Sequence, residues 1–460
     1  MSEHITFRTG SQSNTPDPIP ASQHLPDWFR MLELAIDSLP IPGDKTAKLC
    51  MPLNDAMKMG WLLRAPCDIY MRKRGTGIEI TADIDGAATE VHGEQTDSTR
   101  NSSFLLPECI VSSNCRIESP AGYATLVTQP LNRDELRFTV PGMLVPTDEY
   151  DGGIGVPMYV EDEEIFLEAG EPIAQVIPVA REDLSLDLTV DGFEPDSKHE
   201  TMLHKTLRAS TRRKDVYRKD AWVPKPSPQV REEVDDSTAD RTDSDDGHGC
   251  QLDSQCGGAE ETENPGQKGL AYYCSAEQYG TLPAPVPARE CVSDQYLTRL
   301  RSADGLDSSQ PTSQWIEAAT AIGAVVPLPA RTTIRRTGGN QPLDVTTETD
   351  DDVSHKVQFA EKMGEVHPLA PAGIINITTE WLVRPPSGYS VLVCSPFGHL
   401  QRYYRSYAGL ADFDRYATTA NTPGLFTERA DEWTLPAQTP VSQHVPIDRD
   451  KIISVATIER

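Results

Sequence analysis

The chain has no long apolar run and no apolar segment at its start. Its 460 residues contain no stretch of 18 apolar residues, so we expect no membrane-spanning helix and no membrane partner. The opening MSEHITFRTGSQSNTPDP is polar and lacks the apolar core of a signal peptide, so export by that route is not expected. A chain of this length predicts two or three domains.

Paired cysteines are also missing. Nine cysteines are scattered along the chain, and no two have CxxC spacing. The odd count and irregular spacing argue against a zinc site and against a secreted disulfide framework. We therefore expect reduced, mostly buried thiols and no bound metal.

Lysine is scarce. The chain has 13 Lys against 29 Arg, and its formal net charge is −28. An acidic excess with little lysine is typical of proteins that stay soluble in very high salt, where the screening length is roughly 3 Å and self-repulsion costs little. A high-salt host is the favoured explanation. The alternative is an ordinary acidic protein with one very acidic insert.

The insert in question is residues 232–263. It holds 12 acidic residues and one Arg, so it contributes 11 of the 28 excess negative charges and the other 17 lie elsewhere. The charge therefore needs a wider explanation than the insert. A chain this negative repels nucleic acid, so nucleic-acid binding is not expected.

Several motifs for nucleotides and metals are absent as well. There is no GxxxxGK[ST] and no GxGxxG that opens a helix. HETMLH at residues 199–204 has one residue too many between its histidines for HExxH, and that spacing places them on different helix faces. His-x-x-Gln occurs at residues 92–95 and 355–358. A shared site, a repeated surface turn and a buried pair all remain open for it.

The chain does contain an internal repeat. EIFLEAGEPIAQVIP (residues 164–178) and EWTLPAQTPVSQHVP (residues 432–446) share Glu, Leu, Ala, Pro, Gln and Pro at matching places, with an offset of 268. Five further pairs follow the same order at offsets of 263 to 267: PDPIPAS and PAPVPAR, DAMKMGWLLRAP and EAATAIGAVVPLP, HGEQ and HKVQ, SPAGYATLVTQPL and PPSGYSVLVCSPF, GMLVPTDEY and GLADFDRY. Six collinear matches predict a tandem duplication that has diverged far.

The repeat sets the predicted domains. Residues 1–203 and 271–460 form two copies, and residues 204–270 join them. The joining segment begins with a basic arm, residues 204–219, which either docks an acidic surface or pairs with the acidic tract that follows it. That tract is rich in Ser, Asp and Gly, a composition that predicts a disordered linker.

Both copies consist of short apolar runs divided by Pro, Gly and Asp. Runs such as YATLVTQPL, IGVPMYV and YSVLVCSPF predict a mainly β fold of the sandwich or barrel type. Helical spacing is confined to LPDWFRMLELAIDSL, LNDAMKMGWLL and SQWIEAATAIG. We therefore expect two barrels with a few short helices.

The segment VPGMLVPTDEYDGGIGVPMYVEDEEIFLEAGEPIAQVIPV, residues 140–179, resembles the core of the dUTPase/dCTP-deaminase superfamily. The shared features are a Pro-Gly pair, an acidic stretch that ends in Tyr, a small-residue turn, a strand, and a Gly-x-x-Ile-Ala-Gln element. The resemblance covers some 60 residues per copy. It implies a β-clip or jelly-roll domain that normally trimerises, here present as two degenerate tandem copies. The wider pattern also resembles an uncharacterised protein family of tailed phages and haloarchaeal tailed viruses.

The resemblance also implies which residues would form a nucleotide site. In copy B these are Asp412, Asp414, Tyr416 and Gln443, and the weaker counterparts in copy A are Asp148, Tyr150 and Gln175. In the family, a carboxylate activates water, an Arg-Ser loop and Gln hold phosphates with Mg²⁺, a Tyr lies under the sugar, and a Gly-rich arm closes the site.

Several of these parts are altered in both copies. At the phosphate loop, copy A has residues 130–133 (PLNR) and copy B has residues 395–398 (SPFG). The family glycine is replaced by Gln438 in copy B, and the chain ends in ISVATIER without a Gly-rich arm. Losses of this kind cost catalysis several powers of ten where the lost group stabilises the transition state.

We therefore predict a non-enzymatic viral structural protein, a capsid decoration, turret or other virion component. It would be made in the cytoplasm of a high-salt host, form a trimer or ring, and bind other virion proteins without a cofactor. The alternative is a nucleotide-binding protein or nucleotide hydrolase with its site in copy B, which alone would need Mg²⁺. A soluble regulator of a host protein is a third option.

Overall fold

The structure is a computed structural model. It describes residues 3–9, 15–32, 35–36, 44–45, 47–75, 77–91, 106–133, 137–185, 187–193, 217–231, 269–275, 279–303, 306, 311–336, 343–347, 374–399, 404–426 and 432–460. Short strands dominate these residues and the α-helices are few, so the prediction of a mainly β chain is confirmed. No helix in these ranges is long and apolar enough to cross a membrane.

Some of the sequence predictions concern other residues. Most of the basic arm (204–216), the acidic insert, HETMLH and both His-x-x-Gln motifs lie outside the described residues.

The strands up to residue 231 are β1 (Ile5–Thr9), β2 (Ile19–Pro20), β3 (Ala35–Ile36), β4 (Asp44–Lys45), β5 (Trp61–Arg64), β6 (Ile69–Arg74), β7 (Gly77–Ala82), β8 (Ala88–Glu90), β9 (Cys109–Glu118), β10 (Tyr123–Thr128), β11 (Phe138–Thr139), β12 (Met143–Val145), β13 (Gly153–Val160), β14 (Glu164–Leu167), β15 (Pro172–Ala180), β16 (Asp187–Phe193) and β17 (Gln229–Arg231).

The later strands are β18 (Gly269–Ser275), β19 (Val286–Pro287), β20 (Ala324–Pro327), β21 (Thr332–Arg336), β22 (Leu343–Thr347), β23 (Ile374–Arg384), β24 (Tyr389–Cys394), β25 (Tyr404–Ser406), β26 (Gly409–Ala411), β27 (Thr419–Phe426), β28 (Glu432–Leu435), β29 (Pro440–Asp448) and β30 (Val455–Glu459). The α-helices in the described ranges are α1 (Asp27–Met31), α2 (Met51–Lys58), α3 (Asp294–Ser302) and α4 (Thr312–Ala321).

The sheets of residues 3–193, the first half, have counterparts in residues 269–460, the second half. A five-stranded sheet with the order β12-β10-β15-β5-β2 matches β26-β24-β29-β20-β19. A three-stranded sheet, β14-β6-β7, matches β28-β21-β22. The paired segments of the sequence repeat thus lie at corresponding places, with β15 and β29 at the centres of the two five-stranded sheets. Almost every residue of these two strands is buried, including the polar residues Gln175, Ser442, Gln443 and His444.

The third pair of sheets exchanges strands between the halves. In the first half the order is β11-β13-β9-β1-β30-β17, and in the second it is β25-β27-β23-β18-β16. The last strand of the chain, β30, pairs in parallel with β1, with Ile5 opposite Ala456. In return, β16 of the first half pairs in parallel with β18, with Asp187 opposite Gly269. Each half therefore completes its sheet with the last strand of the other, as in domain swapping.

Helices α2 and α4 hold the halves together at corresponding positions. Helix α2 packs against β26 of the second half, and α4 packs against β12 of the first. A shared apolar cluster lies between them, contributed from the first half by Ala56, Met59, Ala124, Leu126, Ile177 and Val179, and from the second by Ala319, Ile322, Leu392, Phe397, Leu410, Val445 and Ile447. The halves thus bury a common core, because each five-stranded sheet has one face covered by the other half.

Two glycines follow these helices. Gly60 (φ +67°) and Gly323 (φ +68°) adopt the left-handed conformation. A Cβ atom at Gly60 would lie 2.0 Å from the Val176 carbonyl oxygen, and one at Gly323 would lie 2.1 Å from that of His444. Only glycine fits such a position, so the repeated Gly in the sequence marks a close approach of a helix end to the central strand.

The predicted helical segments agree with the observed helices to different extents. LNDAMKMGWLL and SQWIEAATAIG contribute to α2 and α4. Among the described residues of LPDWFRMLELAIDSL, Asp27–Met31 is helical, and Leu32 is already extended with ψ 130°. Helix α3 was not predicted. It begins at the N-cap Ser293, whose side chain accepts a hydrogen bond from the Tyr296 N–H.

Candidate functional site

Asp412, the strongest of the candidate carboxylates, is completely buried. It follows β26 and faces the start of β24, where the Ser390 hydroxyl donates to Oδ1 at 2.6 Å. The Lys225 ammonium lies 2.6 and 2.7 Å from the two carboxylate oxygens. The Val223 N–H donates to Oδ2 at 2.8 Å, and the Arg449 guanidinium lies 3.3 Å from Oδ1. The carboxylate is thus surrounded by donors and has no solvent-exposed surface.

Lys225 belongs to a segment that crosses both halves. We call residues 217–228 the strap. The Trp222 indole N–H donates to Asp55 Oδ2 of α2 at 2.7 Å, and the Lys225 ammonium lies 3.6 Å from the same oxygen. Burial is the largest effect on Asp55 and raises the pKa of its carboxyl. Through Lys225 the strap therefore links Asp55 of the first half to Asp412 of the second.

Asp414 and Asp148 occupy matching turns. Asp414 accepts from the Gly388 N–H at 3.0 Å and is paired with the Arg449 guanidinium. Asp148 accepts from the Gly122 N–H at 2.8 Å and is paired with Arg181. Each carboxylate thus closes the turn before β24 or β10.

Tyr150 and Tyr416 both pack edge-on against an aromatic ring. The ring centroids of Tyr150 and Trp315 of α4 are 4.7 Å apart, and those of Tyr416 and Tyr217 of the strap are 5.1 Å apart. Such pairs contribute beyond simple area burial. Both tyrosines therefore connect a turn to a neighbouring element.

Gln175 and Gln443 make the same three hydrogen bonds in the two halves. The Gln443 side-chain oxygen accepts from the Phe397 N–H at 2.8 Å, and its amide donates to the carbonyls of Ala319 and Ile322. The corresponding partners of Gln175 are the Leu131 N–H and the carbonyls of Ala56 and Met59. Both amides are buried and directed entirely to backbone groups, as a buried amide requires.

The glutamines and the carboxylates lie at opposite ends of their sheets. Gln443 is opposite Cys394 in β29–β24 pairing, whereas Asp412 bonds to Ser390 at the other end of β24. Four residues of a strand span about 13 Å. Within one chain, the candidates therefore do not surround a common space.

A magnesium site does not fit these residues. The Asp412 carboxylate, the best candidate ligand, is already paired with Lys225 and lies beside Arg449. Mg²⁺ prefers oxygen ligands and keeps several waters, which a carboxylate enclosed by cations cannot provide. No group of three acidic, His or Cys side chains suited to a metal occurs in the part of the chain that the structure describes.

A cavity of about 130 Å³ lies where the two halves meet. We call it the interhalf cavity. It is lined by the loops after β10 and β24, by β25 and by the residues between β25 and β26. Its polar lining comes from Thr128, Gln129, Asn132, Arg133, Thr139, Tyr159, Ser395, His399, Arg405, Ser406 and Tyr407. The loops are the two segments in which the resemblance places phosphate-binding residues.

The sequence did not point to Lys225, Ser390 or Arg405. Lys225 lies between Pro224 and Pro226 in a chain with very little lysine, and that rarity is the one available signal. Ser390 and Arg405 are isolated polar residues in β-strands, and only their spatial neighbours give them a role.

A scan of known protein families finds no match to the chain, and a search of curated proteins finds none either. Among solved structures, one match is the 2′-deoxycytidine 5′-triphosphate deaminase from Agrobacterium tumefaciens. The two chains are 10% identical with a TM-score of 0.26, and the match covers 86% of this chain and 90% of that chain. Similarity at this level supports no argument about function.

Proposed function

We propose that the chain is a non-enzymatic structural protein of a virus particle, made of two duplicated dUTPase-like β domains. The main support for a non-enzymatic role is that the Asp412 carboxylate is enclosed by Lys225, Ser390, Val223 and Arg449. A general base must reach a water molecule and accept its proton. A fully buried carboxylate that is bound to two cations can do neither.

The remaining family positions support the same proposal. Asp148 and Asp414 bind arginines, and Gln175 and Gln443 bind backbone groups. Residues at the positions that bind or process a nucleotide in the family thus form structural contacts within this chain. The alternative function, nucleotide hydrolysis in the second half, would require Asp412, Asp414, Tyr416 and Gln443 to face one space.

The strand exchange supports an assembly role. A chain whose halves share a core and exchange their last strands is a fixed pair of similarly built halves. Such a pair is suited to bridging other subunits, because the same sheet arrangement occurs twice in one chain. The likeness to tailed-virus proteins in the sequence gives the proposed setting, a capsid decoration, turret or other virion component.

Nucleotide turnover tests the non-enzymatic part. The purified chain should release no diphosphate from dUTP or dCTP with Mg²⁺, and no ammonia from dCTP. The matched variant is Asp412→Asn. Turnover by the natural chain that this variant abolishes would overturn the proposal.

Particle composition tests the viral part. Mass spectrometry of purified virions should detect this chain at a stoichiometric amount, and absence from the particle would contradict the proposed role. If the chain assembles with itself, native mass spectrometry of the purified protein should give three times 50.6 kDa for a trimer, or the corresponding multiple for a ring.

A further inference from the structure

The two halves are built alike, yet each half is paired with an unlike partner. Their five-stranded sheets have the same strand order, and each sheet has one face covered by the other half. In a symmetric pair of identical halves, a residue on the symmetry axis would contact its own copy. Contacts between matching residues across the halves therefore show whether the pairing of unlike halves is specified by the side chains.

Asp183 and Lys451 are matching residues that contact each other. Arg181 and Arg449 directly follow the central strands β15 and β29. Asp183 and Lys451 each lie two residues further along, so they occupy the same place in the two halves. The Lys451 ammonium lies 3.1 Å from Asp183 Oδ1. This ion pair joins a residue to its own counterpart, so it lies at the axis that relates the halves.

The charges at this axis suit unlike halves only. The Asp183 side chain is 3% exposed, and its Oδ1 also accepts from the Tyr389 hydroxyl of the second half at 2.8 Å. Lys451 lies 2.6 Å from Glu182 Oε1 of the first half and 3.1 Å from Asp448 Oδ2. Two first halves paired in this way would place Asp183 against its own copy, and two second halves would do the same with Lys451. Like charges held together at a buried contact oppose each other's ionisation, so both pairings are disfavoured.

A second contact between the halves differs in size rather than in charge. The matching strands β12 and β26 begin at Met143 and Gly409, so the residues before them, Gly142 and Ala408, occupy the same place. A Cβ atom at Gly142 would lie 2.6 Å from Cδ1 of Phe397, a residue of the second half. In a pair of second halves, Phe397 would meet Ala408 in place of Gly142. The methyl group and the ring would then compete for the same space, which disfavours that pairing.

We propose that two contacts, Asp183 with Lys451 and Gly142 with Phe397, determine which halves pair. The Asp183 carboxylate excludes a pair of first halves, and Lys451 together with Phe397 excludes a pair of second halves. The covered face of the first half therefore fits one kind of partner, a second half of this chain. Specificity of this kind comes from contacts that disfavour the wrong partner as well as from those that favour the right one. It follows from the matched strands and does not depend on the proposed function.

Charge exchange in the full chain tests the first contact. Lys451→Asp reproduces the acidic contact of two first halves, and Asp183→Lys reproduces the basic contact of two second halves. Each single variant should lower the melting temperature by at least about 4 °C, because like charges replace a largely buried ion pair. The double variant Asp183→Lys with Lys451→Asp restores opposite charges and should recover about half of the larger loss.

The contact of Gly142 with Phe397 is tested by changing both sizes. Gly142→Ala introduces the methyl group of Ala408, and Phe397→Leu introduces the smaller residue that the first half has at this place, Leu131. Each change alone should lower the melting temperature. Together they should lower it by less than the sum of the separate effects, because the smaller side chain leaves room for the methyl group.

The control is Arg335→Asp, which places like charges at the exposed pair with Glu432 inside the second half and should change the melting temperature by no more than about 1 °C. A double charge variant that is no more stable than the less stable single variant would overturn the role of Asp183 and Lys451. Strictly additive effects at Gly142 and Phe397 would overturn the role of that contact. Recovery in both double variants, with little change in the control, would support the proposal.

Discussion

Asp412 has no acidic counterpart in the first half, and this one difference changes the charge buried in the core. The repeat offset of 266 places Pro146 where the second half has Asp412. The second half therefore has one buried negative charge that the first half lacks, and the strap supplies Lys225 to compensate it. A buried ion pair contributes little net stability by itself, but loss of one member leaves the other charge uncompensated.

We predict that Asp412→Asn destabilises the chain by about 3 kcal/mol, because Lys225 stays buried without its counter-charge. Urea unfolding measures the change. Glu432→Gln, which removes a half-exposed pair with Arg335, should change stability by no more than about 0.5 kcal/mol. The double variant Asp412→Asn with Lys225→Met should recover part of the loss, and no recovery would argue against a specific coupling.

His444 is a second buried polar residue that the first half lacks, since Val176 occupies its place in β15. Its ring is fully buried, with Nδ1 2.8 Å from the Tyr272 hydroxyl and Nε2 3.2 Å from the Ser442 hydroxyl. Burial lowers the pKa of His444 to about 3. The folded chain therefore keeps this imidazole neutral at pH values where the unfolded chain, with a pKa near 6.5, binds a proton.

The sign of the resulting pH dependence follows from proton uptake. Between pH 6.5 and pH 3 the unfolded state holds one more proton at this site, so stability falls as pH falls, by about 1.4 kcal/mol per pH unit. Urea unfolding at pH 7, 6 and 5 should show a flatter slope in His444→Val, the residue of the first half. A slope equal to that of the natural chain would exclude His444 as the source.

At the scale of secondary-structure elements, the exchanged strands have the largest effect on the stability of the fold. β30 lies between β1 and β17 and pairs in parallel with both, and its Ala456 is completely buried. The final residues of the chain therefore stabilise its beginning. Edge strands left without such a partner expose unpaired backbone groups.

Truncation after Ser454 should expose β1 to solvent exchange. We predict that amide hydrogens of Ile5–Thr9 lose protection in hydrogen-exchange mass spectrometry, whereas the β23–β27 ladder of the second half keeps it. Removal of Arg460 alone, whose side chain is mostly exposed and pairs with Asp17, is the control and should change little. Loss of protection in the second half rather than in β1 would contradict the strand exchange.

At the scale of the whole molecule, the two halves depend on each other for folding. They share the apolar cluster around Leu126, Ile177 and Val445, and each supplies a strand to the other. An isolated half would expose that apolar face and lack one strand of its sheet. The strap adds a third connection, through Trp222 and Lys225.

A split chain tests this dependence. Residues 1–231 and 269–460, expressed together as separate polypeptides, should purify as a one-to-one complex, because the exchanged strands and shared core do not require a continuous linker. Each half expressed alone should be insoluble or unfolded by circular dichroism. Two halves that fold alone as stable monomers would show that the exchange is dispensable.

Local features were accessible from the sequence because they depend on neighbours along the chain. Short apolar runs between Pro and Gly predicted a mainly β chain, and the recurrence of Gly60 and Gly323 marked two matching backbone turns. The repeated segments 164–178 and 432–446 form matching strand pairs, β14–β15 and β28–β29. Periodicity and turn residues carry this information directly.

The sequence by itself determined the strand content, the paired segments and the acidic character of this protein. Only the tertiary structure decided which strand completes which sheet, since β1 and β30 are separated by almost the whole chain and parallel pairing leaves no local signal. The same holds for Asp412, whose partners Lys225, Ser390 and Arg449 come from three distant segments. An acidic residue identified in a sequence can act as a base or as a structural ion-pair partner. Its burial and the charges around it determine which of these roles it has.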